Sequence, residues 1–249
     1  MKRFSVVSIF PELFTTFKQI GMIERAISKK LITLETINPR DFAKTKYKAV
    51  DDKPYGGGAG MVMTPEIMAK SITKAKEDLL YTKSNTKIVY LSPQGIQLNQ
   101  NKISDEIHST DNFVFIAGRY EGIDERIIDN YIDEEWSIGD YILTGGEVPA
   151  MVAIEAMTRL IPGVLNDNES AMNDSFTMGL LDYPSYTKPI DFEGNIVPEV
   201  LLSGDHKRIA RWRKKQSLGR TWERRPDILD QYKLTEEEKI LLEEYKLEL

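Results

Sequence analysis

From its N-terminus the chain alternates short runs of β-branched and aromatic residues with longer stretches whose apolar positions recur every three or four residues. The short runs are FSVVSIF (Phe4–Phe10), ITLETIN (Ile32–Asn38), KIVYL (Lys87–Leu91), FVFIA (Phe113–Ala117), and Glu135–Ile138 with its predecessor Glu134. Each is bounded by turn residues and predicts a strand. Between them Glu12–Lys29, Pro65–Leu80, Gln97–His108, Asp124–Tyr131 and Val148–Ile161 predict helices. Thr64 stands where an N-cap belongs, with Pro65 in the first turn. Strands separated by amphipathic helices predict an α/β fold with a parallel sheet.

Past Ile161 the pattern changes. Residues Pro162–Pro189 are rich in Asn, Asp, Ser, Gly and Pro and read as a long linker, a kind of connection that usually carries function. Beyond it only helical segments are expected: Pro198–Leu202, Asp205–Leu218, Pro226–Tyr232 and Thr235–Leu249, the last opened by the capping box Thr235-Glu236-Glu237-Glu238. The expected layout is an α/β domain over residues 1–161, a linker over 162–189 and a small all-helical domain over 190–249.

Composition narrows the chemistry. The 249 residues are 41% hydrophobic, enough for a sizeable core. There is no cysteine, which excludes disulfides, thiolate metal sites and a Cys nucleophile. His108 and His206 lie far apart, so no metal site is predicted from them. No apolar run approaches the roughly 18–20 residues of a membrane helix. The basic start MKRFSVVSIFPELF reads as a first strand and not a signal peptide, which implies a cytoplasmic protein.

Net charge is −6, but the charge is segregated. Between Asp205 and Arg225 stand Lys207, Arg208, Arg211, Arg213, Lys214, Lys215, Arg220, Arg224 and Arg225, opposed only by Asp205 and Glu223. The acidic tail TEEEKILLEEYKLEL then offsets them. Such a basic block favours a polyanionic partner more than the net value suggests.

Four glycine-bearing stretches sit at strand boundaries: Tyr55–Gly60, Leu91–Gly95, Gly118–Gly122 and Ile138–Gly146. Glycine there permits positive φ and close backbone approach to a ligand, and open α/β sheets bind ligands beyond the carboxyl ends of their strands. Each alone also reads as an ordinary tight turn. GGGAG is not followed by Gly-Lys-Ser/Thr, and no GxGxxG opens the first helix, so neither a P-loop nor a dinucleotide site is supported. The residues by themselves establish an α/β domain with a glycine-walled pocket.

Taken in order, however, VSIFPELF, NPRDF, VDDKPYGGGAGMVM, YLSPQG, GRYEGIDERI, DEEWSIGDYILTGGEVPAM, RLIPGVL, DSF, GLLDYPSYTKP, VPEVLLSGDH and RWRKKQSLGRTWERRPDIL closely resemble the bacterial tRNA (guanine-N1)-methyltransferase family of the SPOUT superfamily. The resemblance runs from about Phe4 to Leu229. It implies a deep trefoil knot, an exception to the rule against threaded chains. It also implies a homodimer whose active sites are built from both subunits, and methyl transfer from S-adenosylmethionine to N1 of the guanosine 3′ of the anticodon (position 37) in tRNA.

Carried over by motif, the cofactor loops are Tyr90, Leu91, Ser92, Pro93, Gln94 and Gly95; then Gly118, Tyr120, Glu121 and Gly122; then Ser137, Ile138, Gly139, Asp140, Tyr141, Ile142, Leu143, Gly145 and Gly146. Asp174 matches the general base that takes the guanine N1 proton. Arg159 matches the cation that stabilises charge developing on O6. Read without the family, Asp174 is equally an Asx-turn residue and Arg159 a helix-end cation. Glu121 and Asp182 are further candidates for guanine, cofactor or Mg²⁺, which the resemblance implies assists the reaction, while Asp140 shapes its loop.

Lys207, Arg208, Arg211, Lys214, Lys215 and Arg220 are expected to meet phosphates of the anticodon stem, with Trp212 turned into the core of the helical domain. Two rival readings stand beside this one. The first is a knotted methyltransferase for another RNA position; the second is a non-catalytic RNA-binding protein of the same fold.

Overall fold

The computed structural model describes residues 1–79, 85–165, 175–177 and 179–249. They fall into two compact units, Met1–Asn166 and Asp167–Leu249. The first is built on five parallel strands: β1 (Lys2–Val7), β2 (Ile32–Ile37), β5 (Thr86–Gln97), β6 (Asn112–Ile116) and β7 (Glu134–Ser137). Their order across the sheet is β2-β1-β6-β5-β7. Two-residue strands β3 (Asp51–Asp52) and β4 (Val62–Met63) form a separate antiparallel pair.

Side-chain alternation divides the core into two faces, because successive residues of a strand point oppositely. Phe4, Val6, Val89, Leu91, Phe113 and Phe115 pack with Phe14 of α1 (Glu12–Phe17), Ile23 of α2 (Gly21–Ser28), Ile103 of α4 (Gln100–Ser109) and Ile154 of α6 (Glu147–Arg159). Val7, Ile88, Tyr90, Val114 and Ile116 pack the other face with Met68 and Ile72 of α3 (Pro65–Asp78) and Ile127 of α5 (Glu125–Tyr131). Central β6 is buried along its whole length, as a parallel strand covered on both sides must be.

Several expectations from sequence are corrected. Glu12–Lys29 is two helices, parted at residues 18–20, with Gly21 opening the second in the left-handed region at φ 62°. The first strand ends at Val7, where Ser8 turns its hydroxyl to accept from the Phe10 N–H at 3.0 Å. Helix α4 begins at Gln100 because Asn99 caps it through the Lys102 N–H. Thr64 makes no side-chain cap; its hydroxyl donates to the Val50 carbonyl at 3.3 Å. β5 runs on to Gln97 through an irregularity in which Leu91 and Ile96 both pair with Trp136, so Ser92–Gly95 loop out of the strand.

The second unit is not purely helical. A hairpin of β8 (Asp191–Phe192) and β9 (Asn195–Ile196) precedes α7 (Glu199–Leu202), α8 (His206–Arg224), α9 (Pro226–Leu229) and α10 (Glu236–Leu247). Helix α8 passes straight through Gly219 to Arg224, six residues beyond the predicted end. That glycine lies under the Tyr245 ring, where a Cβ would come within 2.3 Å of Cγ. Its role is close packing of α8 on α10 and not helix termination. The unit's apolar centre is Leu180, Leu218, Leu241 and Leu242. Trp212 is outside it, half-buried against the Tyr186 ring at 6.4 Å. Leu180 and Leu181 lie in the segment read as linker, yet Leu180 is buried and the Leu181 N–H donates to Thr221 Oγ1 at 2.9 Å.

Candidate functional site

The carboxyl ends of β5, β6 and β7 open into a cleft of about 300 Å³. That volume lies at the small end of the range found for small-molecule sites. Its walls are main-chain-rich loops that three interactions tie together. The Gly146 N–H donates to the Gly118 carbonyl at 3.0 Å, Arg119 and Gly145 form an antiparallel bridge, and the Glu121 N–H donates to the Met61 carbonyl at 3.0 Å.

The glycines here are required by space. A Cβ on Gly95 would sit 2.3 Å from the Glu135 carbonyl carbon, and one on Gly146 2.7 Å from the Ala117 Cα. A Cβ on Gly118 would meet the Tyr90 ring at 2.8 Å. Tyr120 adopts φ 61° without being glycine, a conformation held only where its surroundings enforce it. Burial, with Glu135 adding to it, pushes the Tyr90 phenol above its ordinary pKa, so it stays protonated at neutral pH.

A buried polar network anchors these loops. Glu147 opens α6 and is 1% exposed; its carboxylate accepts from Ser8 Oγ at 2.8 Å and from Arg119 Nε at 2.8 Å. Arg119 also donates to the Thr144 carbonyl at 3.2 Å and lies over the Phe10 ring at 4.5 Å. One arginine thereby joins the loop after β6, the loop after β7 and the loop after β1. Behind the cleft, Trp136 Nε1 donates to Glu134 at 2.8 Å, and Glu134 is bonded by Lys87 and Lys102. Burial would raise the Glu134 carboxyl, but the hydrogen bonds from Lys102, Lys87 and Trp136 outweigh it and hold the pKa at about 2.

Of the cofactor residues expected from sequence, Tyr90, Leu91, Ser92, Pro93, Gly118, Tyr120, Glu121, Gly122, Ser137, Ile138, Gly139, Tyr141, Ile142, Leu143, Gly145 and Gly146 line the cleft. Gln94, Gly95 and Asp140 do not; Gly95 instead packs behind the wall on the backbone of Glu135 and Trp136. Arg119, Trp136, Thr144 and Pro149 line it without having been singled out, although each stands inside or beside a quoted motif.

Arg159 is not brought to the cleft by its own helix. It is the exposed last residue of α6, and the cleft lies at that helix's first turn. Twelve residues of α-helix separate the ends by about 18 Å. Asp174 lies outside the described residues. Beside it, Ser175 Oγ accepts from the Asp182 N–H at 3.0 Å, and Asp182 itself is exposed.

In the second unit the expected phosphate-binding residues divide. Arg211 is paired bidentately with Glu244 at 2.6 and 2.9 Å, Lys214 with Glu238 at 2.8 Å, and Lys215 with Glu248 at 2.5 Å. Lys207 and Arg208 are exposed and Arg220 is half-buried. Among the described residues no group of three or more His, Cys, Asp or Glu could hold a metal ion, and no helix is long and apolar enough to cross a membrane.

The fit to a nucleoside-bearing methyl donor can be judged from the donor set. The walls offer peptide groups approachable at close range, apolar Ile138, Ile142 and Leu143, and the Glu121 carboxylate as an anionic group for a cationic ligand. These residues fit S-adenosylmethionine. The fold and cleft thus define a parallel α/β protein with a nucleotide-sized site at its strand ends. The tRNA (guanine-1)-methyltransferase TrmD family profile matches residues 1–231, and the chain belongs to that family. It is 51% identical over 246 residues to the tRNA (guanine-N(1)-)-methyltransferase of Pseudoalteromonas atlantica, covering 99% of this chain and 91% of that protein. It is 53% identical over 240 residues to the like-named protein of Coxiella burnetii, covering 96% of each, and 53% identical over 240 residues to that of Aliivibrio salmonicida, covering 96% of this chain and 95% of that protein.

Proposed function

We propose that this chain transfers the methyl group of S-adenosylmethionine to N1 of a tRNA guanosine, at the position 3′ of the anticodon. The observation that carries the reading is the glycine-walled cleft at the ends of β5, β6 and β7, in a chain whose family profile spans residues 1–231. Bound there, S-adenosylmethionine supplies an electrophilic methyl carbon on a sulfonium.

Neutral guanine N1 carries a hydrogen and is a poor nucleophile. The Asp174 carboxylate takes that proton, N1 bonds to the methyl carbon, and the C–S pair stays on sulfur. A base within hydrogen-bond reach is worth about 10²–10⁴-fold. The guanidinium of Arg159 balances charge gathering on O6. Within one subunit Arg159 is a helix length away from the cleft, which supports a homodimer in which the partner subunit's Arg159 serves the first subunit's cleft. Exposed Tyr141, Ile142, Leu143, Val148 and Val152 offer apolar area for such pairing. The glycine-tied crossing of the loops after β6 and β7 is where the family's knot would close.

The test is transfer of label from methyl-labelled S-adenosylmethionine to tRNA transcripts bearing guanine or adenine 3′ of the anticodon. Label on the guanine transcript alone, reduced at least about 100-fold in Asp174→Ala, is expected. An EDTA arm reads the magnesium dependence that the resemblance implies. Transfer to both transcripts would refute the assigned position; transfer to neither would refute the enzyme.

A further inference from the structure

Helix α8 carries two sets of cations that differ in what they face. Arg211, Lys214 and Lys215 surround Leu218 on the side packed against α10, where Glu244, Glu238 and Glu248 neutralise them one for one. Lys215 is only 9% exposed, so a phosphate could reach it only by displacing α10. At 100° per residue, Arg213, Arg220 and Arg224 fall within an arc of about 40° on the opposite side, along about 16 Å of helix axis. Among the described residues no ion pair reaches any of these three. The helix's own carboxylate, Glu223, is occupied by the Tyr245 hydroxyl at 3.0 Å. The Arg213 guanidinium lies over the Tyr183 ring at 4.7 Å, a cation–π contact that leaves its charge without a carboxylate partner among the described residues.

We infer that the phosphate-binding face of the second unit is the row Arg213, Arg220 and Arg224, and that Arg211, Lys214 and Lys215 are structural cations holding α10 in place. The assignment rests on the tRNA reading above. Arginine suits the first role, because its planar fork meets phosphate oxygens bidentately. The acidic helix α10 then neutralises one face of α8 and leaves the arginine row, with exposed Lys207 and Arg208 in the helix's first turn, for RNA.

The experiment measures tRNA affinity of the full chain against salt concentration, together with the melting temperature. Removing one phosphate-binding cation should flatten the log–log salt slope by about 0.7–0.9. Arg213→Gln/Arg220→Gln/Arg224→Gln is expected to flatten the slope by about 2–3 while melting near wild type. Lys214→Gln/Lys215→Gln is expected to keep the slope and melt lower. Should that double variant fail to fold, Arg211→Gln, at a more exposed pair, reads the same arm and is expected to keep the slope. A flattened slope in the Arg211 or lysine variants, or an unchanged slope in the triple arginine variant, overturns the assignment alone. A wild-type chain without tRNA affinity overturns the tRNA reading and this assignment with it.

Discussion

The two units solve the problem of holding a site by different means. The sheet unit buries two apolar layers and builds its cleft from strand-end loops, with glycine at Gly95, Gly118 and Gly146 where a side chain would collide. Among its described residues the helical unit has Leu180, Leu218, Leu241 and Leu242 at its buried centre, and three lysine or arginine pairs and a capping box help to fix α10. The difference teaches which perturbations each should feel. Added volume threatens the first, whereas removal of apolar packing or of a charge threatens the second.

The largest effect on ligand binding is expected from Gly95→Val. Its Cβ lies 2.3 Å from main chain that cannot swing aside, so the loop must move. Calorimetric titration should show S-adenosylmethionine binding weakened more than about tenfold, the scale of a kilocalorie or two of overpacking. Binding at wild-type strength would show that the wall tolerates added volume and would erase the contrast. Next, Arg119→Met leaves the Glu147 carboxylate buried with its charge partner gone. A loss of about 3–5 kcal/mol in denaturant unfolding of the sheet unit is expected. That result would qualify the comparison, since one ion pair then matters as much to the sheet unit as packing.

Leu218→Ala should cost the helical unit about 2–5 kcal/mol, a large share of so small a core. A loss below about 1 kcal/mol, read by the circular dichroism melt, would mean that the ion pairs alone suffice. The smallest effect concerns acid. Burial would raise the Glu238 carboxyl, but Lys214, the Thr235 N–H and Tyr232 hold it at about 2, against an ordinary value of 4.5. Because the folded pKa is depressed, this stabilisation is complete above pH 4.5 and lost as pH falls from there toward 2. Glu238→Gln should therefore narrow the difference in melting temperature between pH 7 and pH 3. Trp212→Phe/Trp222→Phe leaves Trp136 as a reporter of the sheet unit alone, and its fluorescence gives the control.

The strands of the sheet were legible because runs such as FVFIA are rich in β-formers and buried on both faces, which leaves few alternatives. The cleft was legible in outline, since glycine clusters at strand ends have a steric meaning. What could not be read was which residues share space across distant positions. Gly219 resembles a helix stop until Tyr245 is seen above it. That Gly95 must lack a Cβ because the backbone of Glu135 lies against it is likewise visible only in three dimensions. Arg211 and Lys215 stand in a basic run, and nothing local shows that Glu244 and Glu248, each 33 positions on, lie beside them. Arg119 carries no local signal, because its value lies in joining Phe10, Thr144 and Glu147.

The main-chain character of the cleft has a consequence for inhibition. A compound that hydrogen-bonds to peptide groups along Gly118–Gly122 and Ile138–Gly146 would make those contacts with atoms that no codon change alters, while Tyr120, Tyr141, Ile142 and Leu143 remain the side chains through which it could be evicted. Replacing a wall glycine would first obstruct the cleft's own ligand, so resistance should arise at those side chains more readily than at the glycines.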